Sequence, residues 1–395
     1  MARMRRIGVE ERRARMAARH ALAPAARVRD PADAARAVVV LHATDPATVH
    51  LSAMARMAVP EVAAVERALY EERALVRMLG MRRTMFAVPR ELVAHVHASS
   101  TRAVAAAERR RLVRRLEAAG VAGDPARWLR RAERAALAAL AARGEATAAE
   151  LAADVPALRT WVITSPGRSY EARQNVTTWV LSLLAADGRI VRTRPRGTWR
   201  SGQHRWTSLE AWLPDGIPAV PRPAAQAELA RRWLARFGPA TVADVRWWTG
   251  WTAADCRAAL RAIGAAEVDL DGVPGVALAD DLEPAPRPEP WAALLPALDA
   301  TPMGWSERDW FLGPHRPRLF DGNGNAGPTA WWDGRVVGGW GQRPDGEVVV
   351  RLLEDVGADA RSAMAAEAER LTAALGGSRV IPRFRTPLER EIAEG

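Results

Sequence analysis

The chain has 395 residues, of which 49% are hydrophobic and 26% charged, and its formal net charge is +11. A chain of this size and composition buries a sizeable core, so we expect a soluble globular protein of about two to four domains. No stretch approaches the roughly 20 apolar residues of a membrane-spanning helix. The basic N-terminus lacks the apolar centre of a signal peptide, and the expected location is the cytoplasm.

Two features of the composition limit the chemistry. The single cysteine, Cys256, excludes internal disulfides and iron–sulfur clusters held by cysteines. The sequence contains no lysine and 57 arginines. Arginine offers planar, bidentate donors that suit phosphate, whereas no side-chain amine is present to act as a nucleophile.

Residues 1–118 read as a first helical unit. Hydrophobic periodicity predicts helices over 9–20, 33–43, 46–57 and 62–72. Residues 74–88 are β-prone around Gly80 and resemble the two-stranded wing of a winged helix. A long helix is predicted from residue 89 to about residue 118.

Polar residues gather at the junction between the predicted helices 33–43 and 46–57. His42, Thr44 and Asp45 stand there, directly before Pro46, which is favoured at the first position of a helix. Such a junction can present an imidazole, a hydroxyl and a carboxylate to one point. The structural alternatives are that Asp45 caps the second helix and that His42 is a hydrogen-bonded core histidine.

The next stretch is rich in arginine. Residues 102–134 contain ten arginines and four acidic residues, and several of the arginines lie close together on one predicted helix. This bias predicts a surface that faces phosphate, with Arg109, Arg110 and Arg114 as candidate DNA contacts.

Residues 119–215 are predicted to form three helices and a hairpin. The helices cover 125–143, 147–154 and 171–186, and Thr147 with Glu150 forms a capping box. The hairpin, residues 189–206, contains six arginines and no acidic residue. Three helices followed by a basic hairpin are typical of a DNA-binding winged helix. The candidate phosphate contacts of the hairpin are Arg189, Arg192, Arg194, Arg196, Arg200 and Arg205.

A third copy of the pattern covers residues 216–284. Its predicted helices, 223–236, 241–249 and 252–264, precede a short wing at 267–278 that ends in acidic residues, which favours a packing role.

A proline-rich linker, 284–290, leads to the C-terminal domain, 290–395, with predicted strands at 329–332, 336–340 and 347–353, a helix at 359–375 and a last strand at 379–384. The glycine-rich segment 322–327 is predicted to be a turn, because no phosphate-binding helix follows it.

These features resemble the AlkZ/YcaQ family of winged-helix DNA glycosylases. That family carries a Leu-Gln-apolar-Gln/Asp segment, and Leu41-His42-Ala43-Thr44 occupies the equivalent place with His and Thr in place of the polar pair. The resemblance covers essentially the whole chain. It implies a mainly α, α+β fold with three tandem winged-helix domains followed by a C-terminal β-barrel-like domain.

The resemblance also implies an activity. We expect a monofunctional DNA glycosylase that acts on damaged purines in double-stranded DNA, whether alkylated, bulky, crosslinked or deaminated, as a nucleoid-associated monomer. In this interpretation His42 accepts a proton from the attacking water, Thr44 orients that water, and Asp45 polarises His42 or faces the developing cation. No cofactor is expected, and His95 and His97, two residues apart on a predicted helix, do not suggest a metal site. The alternative is a winged-helix DNA-binding or regulatory protein without catalysis.

Overall fold

The computed structural model describes residues 4–164, 167 and 171–394. It is a mixed α/β protein in which helices and short, mainly antiparallel sheets alternate along the chain. Among the described residues, no helix is long and apolar enough to span a membrane.

The first segment contains six helices and four strands, with a π-helical turn at His97–Thr101 between the last two helices. In chain order they are β1 (Arg5–Arg6), α1 (Val9–Arg19), α2 (Pro31–Ala37), β2 (Leu41–His42), α3 (Pro46–Arg56), α4 (Val62–Tyr70), β3 (Leu75–Leu79), β4 (Met85–Pro89), α5 (Val93–Val96) and α6 (Arg102–Ala118). The hairpin β3–β4 confirms the wing predicted at 74–88, and β2 adds a third strand to it.

The helix predicted over 33–43 is wrong beyond Ala37. The β-branched residues Val38, Val39 and Val40 follow the helix, and Val39 adopts a left-handed φ of 66° that turns the chain. The chain then pairs with β4, with Leu41 opposite Ala87 and His42 opposite Phe86. The polar junction is therefore a strand-to-helix junction and not a helix-to-helix junction.

The second segment confirms the basic hairpin but corrects the helix before it. Its elements are α7 (Pro125–Arg143), β5 (Glu145–Thr147), α8 (Ala148–Asp154), β6 (Trp161–Thr164), β7 (Ala172–Asn175), α9 (Thr177–Ala186), β8 (Ile190–Pro195), β9 (His204–Ser208) and α10 (Leu209–Trp212). The helix predicted to start at residue 171 starts at Thr177, because β7 pairs with β6. This segment has a hydrophobic core of its own, around Leu129, Val180 and Leu184.

The third segment follows its predicted pattern and packs into the main core of the protein. It consists of α11 (Arg222–Phe237), α12 (Val242–Thr249), α13 (Ala253–Ala262), β10 (Ala266–Leu270) and β11 (Val273–Ala277). Trp233 and Phe237 of α11 are fully buried in that core. β1 pairs in parallel with β10, so the start of the chain is joined to this segment.

The C-terminal segment contains an open sheet and not the closed barrel expected from the resemblance. It consists of β12 (Ala292–Leu295), α14 (Asp309–Leu312), α15 (Arg316–Leu319), β13 (Thr329–Trp332), β14 (Arg335–Gln342), β15 (Val348–Leu352), α16 (Gly357–Leu375) and α17 (Pro387–Glu394). The four strands are antiparallel in the order β12-β13-β14-β15. Helix α16 packs on one face and α17 on the other, so the sheet buries both faces without closing.

Glycines in β14 explain how closely α17 approaches. A Cβ at Gly339 would lie 2.9 Å from Leu388, and a Cβ at Gly341 would lie 3.1 Å from Ile392. The strand predicted at 379–384 is wrong, because its backbone donors are bound by side chains and not by a neighbouring strand. The Val380 amide donates to Gln342 Oε1 at 2.7 Å, and the Arg383 amide donates to Asp45 Oδ2 at 3.0 Å.

A fully buried ion pair joins the first and the C-terminal segments. Arg56, at the end of α3, donates through both terminal nitrogens to Asp299, at 2.7 and 2.8 Å, and neither side chain is exposed. Asp299 also accepts hydrogen bonds from the Ser52 hydroxyl at 2.6 Å and from the Thr301 amide at 2.9 Å. These donors hold the pKa of Asp299 below its ordinary value, against the effect of burial.

We predict that Asp299→Asn strongly destabilises the protein. Removing one partner leaves the Arg56 guanidinium buried and uncompensated, which costs about 3–5 kcal/mol of unfolding free energy. Urea unfolding measures the loss. The matched control is Asp333→Asn, which disrupts an ion pair with the exposed Arg287 and should cost less than about 1 kcal/mol. If the two substitutions lower the free energy of unfolding equally, the buried pair stabilises the protein no more than the exposed pair does.

Candidate active site

The strand β2 and the cap of α3 fix the three polar residues of the junction. His42 is 8% exposed, and its ring packs edge-on against Phe86 with 5.7 Å between the ring centroids. The Thr44 amide donates to His42 Nδ1 over 3.4 Å, a long contact that favours the tautomer protonated on Nε2. His42 Nε2 has no hydrogen-bond partner among the described residues. The structure thus brings His42 and Thr44 together.

Asp45 caps α3 and makes no hydrogen bond with His42. Its Oδ1 accepts the Ala47 amide at 3.1 Å and its Oδ2 accepts the Arg383 amide at 3.0 Å. The helix-capping alternative for Asp45 is confirmed. Since each carboxylate oxygen accepts a backbone hydrogen bond, Asp45 holds the junction in place against the segment before α17.

Burial keeps His42 neutral. The pKa of its imidazole falls from 6.5 to about 4, chiefly because the charged form is poorly solvated, and the positive charge of Arg82 lowers it further. The negative charge of Asp299 opposes part of this shift. At neutral pH the ring is therefore an uncharged group that can donate or accept one hydrogen bond.

His42 borders a cavity of about 300 Å³. The cavity wall includes three arginines that sequence reasoning did not select, Arg82, Arg308 and Arg316. Trp247 and the loop 323–325 complete much of it. The one local signal for these arginines was the Arg82-Arg83 pair at the turn of the first hairpin. The others come from parts of the chain that only the tertiary structure brings to His42.

The turn predicted at 322–327 is confirmed and forms one wall of this cavity. Asp321 Oδ1 accepts the amides of Asn323 and Asn325, at 2.9 and 2.8 Å, and its Oδ2 accepts from the Asn325 side chain at 2.8 Å. These hydrogen bonds lower the pKa of Asp321, although partial burial opposes the shift. The Asp321 carboxylate thus accepts the hydrogen bonds of its own loop and holds that loop in its turn conformation.

The predicted DNA-contacting arginines fall into two groups. Three of them, Arg110, Arg114 and Arg189, are exposed and form no ion pair with a described residue. The others are engaged within the protein. Arg109 pairs with Glu133 and Asp187, Arg194 with Glu71 and Glu66, Arg196 with Glu150 and Arg205 with Glu145, while Arg192 stacks on Trp206 and Arg200 donates to the Arg379 carbonyl.

The acidic partners explain why the sequence overstated the free charge of the second hairpin. The hairpin itself has no acidic residue, but neighbouring elements supply Glu71, Glu145 and Glu150. Arg192 is different, because burial and the nearby Arg77 and Arg383 lower its pKa to about 10. Among the described residues, no three histidine, cysteine or acidic side chains converge as metal ligands.

Comparison with known proteins identifies the family. A family model described as "DNA glycosylase AlkZ-like" matches residues 35–374. The solved structure of the DNA glycosylase AlkZ from Streptomyces sahachiroi is similar to this chain with a TM-score of 0.73 and 21% sequence identity, over 95% of this chain and 98% of that chain. Comparison with curated protein sequences finds no match. Since the family model spans most of the sequence and the neighbour shares its fold, this chain belongs to the AlkZ-like family of DNA glycosylases, which hydrolyse N-glycosyl bonds.

Proposed function

We propose that this protein is a monofunctional glycosylase that removes damaged purines, alkylated, bulky, crosslinked or deaminated, from double-stranded DNA. The observation that carries the proposal is the neutral, nearly buried imidazole of His42 at the edge of an arginine-lined cavity. The three segments that each place helices before a β-hairpin act in this proposal as winged-helix domains, at 1–118, 119–215 and 216–284, with 290–395 as the fourth domain.

The chemistry needs little acid or base assistance. A purine alkylated on a ring nitrogen is cationic, so it leaves with the electron pair of the C1′–N bond as a neutral base. Water adds to C1′ of the resulting oxocarbenium-like sugar and releases a proton to solvent. His42 and Thr44 hold that water. A neutral imidazole suits this position, because an imidazolium would repel the cation that develops on the sugar.

His42 replaces the carboxamide of the family motif, and the two groups share one ability. Both can form a hydrogen bond to water without carrying charge. We therefore expect His42→Gln to retain part of the excision rate. His42→Ala should lose about 10²-fold or more, the scale of positioned proton-transfer or water-orienting groups.

Single-turnover excision from a duplex with one N7-alkylguanine measures both variants. Asp45→Asn is the matched control, since asparagine still caps α3 but offers only one side-chain acceptor for the Ala47 and Arg383 amides, so it should lower stability more than the rate. If His42→Ala excises normally and Asp45→Asn does not, the carboxylate carries the chemistry. If neither substitution matters and the protein binds DNA without excising any base, the protein is the non-catalytic DNA-binding protein of the alternative interpretation.

The pH profile gives an independent prediction. Only neutral His42 supports excision, so the rate falls as the pH drops through its pKa, which lies near 4 and not near 6.5. We expect kcat/KM to change by less than about twofold between pH 7.5 and pH 5.5 and to fall near pH 4. A roughly tenfold loss by pH 5.5 would show that His42 titrates as an ordinary histidine, or that another group controls the reaction.

The exposed arginines should contribute most of the salt-dependent affinity. We predict that replacing Arg110, Arg114 and Arg189 with glutamine flattens the slope of log affinity against log salt by about 0.9 per lost phosphate contact. Arg109→Gln is the control, since Arg109 is already neutralised by Glu133 and Asp187. An unchanged slope in the triple variant would place the DNA on another surface.

The absence of lysine predicts that no lyase step follows excision. A Schiff base between a side-chain amine and the abasic site cannot form, which leaves only the N-terminal amine. Borohydride reduction in the presence of abasic DNA should therefore trap no crosslink above background. Efficient trapping would mean that the reaction class is wrong.

A further inference from the structure

The cavity beside His42 has an uncompensated positive charge. Two distant parts of the chain supply arginines to its wall, Arg82 from the first hairpin and Arg308 and Arg316 from the C-terminal segment, and no acidic side chain lines it. None of the three arginines forms an ion pair with a carboxylate of a described residue. The sequence predictions for DNA contact included none of them, and they lie around the proposed catalytic group.

Arg308 is held rigidly with its charge unpaired. It is 5% exposed, its Nε donates to the Trp305 carbonyl at 2.7 Å, and its guanidinium lies over the rings of Trp247 and Phe320 at 4.8 and 5.1 Å. Burial and, to a smaller extent, the charges of Arg316 and Arg82 together lower its pKa to about 10, while Asp244 opposes the shift. A buried cation that neighbouring cations also disfavour gains most from an anion.

Asp244 does not neutralise this charge directly. Its Oδ1 accepts from the Ser306 amide and hydroxyl and from the Glu307 amide, at 2.8, 2.8 and 3.0 Å. Its Oδ2 accepts from Thr241 at the start of α12. Asp244 therefore fixes the loop that carries Arg308 and leaves the guanidinium without a carboxylate partner.

Arg82 and Arg316 stand at the solvent-exposed side of the cavity. Arg82 adopts a left-handed φ of 53° at the hairpin turn, and its guanidinium lies 3.8 Å from the centroid of Trp247. Gly250 makes room for it, because a Cβ there would lie 3.0 Å from Arg82 Cγ. Stacking on an aromatic ring leaves the edge of a guanidinium available for bidentate hydrogen bonds.

We propose that Arg82, Arg308 and Arg316 bind the phosphodiester that adjoins the damaged nucleotide and thereby hold its C1′ against His42. This inference rests on the proposed function, which makes DNA the anion that reaches the cavity. A phosphodiester carries one negative charge and has two non-bridging oxygens. These oxygens can accept paired hydrogen bonds from the planar guanidinium groups of the arginines. The cavity of about 300 Å³ has room for part of a nucleotide but not for duplex DNA, so in this proposal it receives an extruded nucleotide with its adjoining phosphodiester.

The test measures binding and needs no excision. The probe is a duplex that contains a single tetrahydrofuran abasic analogue, with either its 5′ or its 3′ phosphodiester replaced by an uncharged methylphosphonate. The wild-type protein should lose about tenfold to a hundredfold in affinity when one of these two linkages is neutral. Arg316→Gln should lose part of that affinity on the natural backbone, and the methylphosphonate should then cost the variant less than it costs the wild type, because only Arg82 and Arg308 still contact the linkage.

Arg318→Gln is the matched control. Arg318 lies on the same short helix, α15, but pairs with Glu391 at 2.6 Å and does not line the cavity. The Arg318→Gln variant should bind the duplex with the natural backbone and the methylphosphonate duplexes with the same affinities as the wild type. The proposal is overturned if the wild type is indifferent to both methylphosphonates, if Arg316→Gln loses as much again on the modified duplex, or if the two arginine variants behave alike.

Two further experiments distinguish the binding of a DNA phosphodiester from the binding of a free anion, and the phosphate site from the glycosylase activity. In the first, inorganic phosphate is added at matched ionic strength and thermal stability is measured. If phosphate stabilises the wild type and not Arg316→Gln, and the methylphosphonates have no effect, the cavity holds a free anion and the assignment to DNA is overturned. Absence of excision from every lesion, with the methylphosphonate effect intact, would overturn the proposed glycosylase activity and leave the phosphate site standing.

Discussion

The buried pair of Arg56 and Asp299 is the constraint on which the site depends. Two charges inside a protein are tolerated only when each is paired and hydrogen-bonded, so their partners are held in place as well. Thr301 receives a hydrogen bond from Arg56 Nη2 and contacts His20 Nδ1 at 2.9 Å. One polar network therefore joins α1, α3 and the segment that follows β12.

This network positions both halves of the candidate active site. The helix that ends at Arg56 begins at the cap Asp45, three residues after His42. The segment that contains Asp299 and Thr301 continues to Met303 and Arg308, which line the same cavity as His42. Thr48 adds a second link by donating to the Ala297 carbonyl at 2.9 Å. The distance between the imidazole and the buried arginine is thus fixed by the core, as a preorganised site requires.

The arginines of this protein serve two physically different purposes. Four arginines of the second hairpin and of α6, Arg109, Arg194, Arg196 and Arg205, pair with acidic side chains of other elements and stabilise the packing of one segment on another. Those of the cavity are stacked on Trp247 and Phe320 and lack a carboxylate partner. A cation held by an aromatic ring keeps its charge available, whereas a cation in a salt bridge does not. The cavity arginines differ from the stacked Arg192 in lining the cavity beside His42, which makes them candidate ligand contacts.

The sequence by itself determined the local elements and the family. Hydrophobic periodicity placed α1, and the capping box of Thr147 and Glu150 placed α8, because these signals act over a few residues. The residues 41–44 located the junction that carries His42. The tertiary structure alone decided that 38–42 turn into a strand, that β7 replaces the start of a helix, that the C-terminal sheet stays open, and that the cap residue Asp45 also accepts the Arg383 amide. It also decided which arginines are paired and which surround His42, because strand pairing, burial and ion pairing depend on partners that are distant in the sequence.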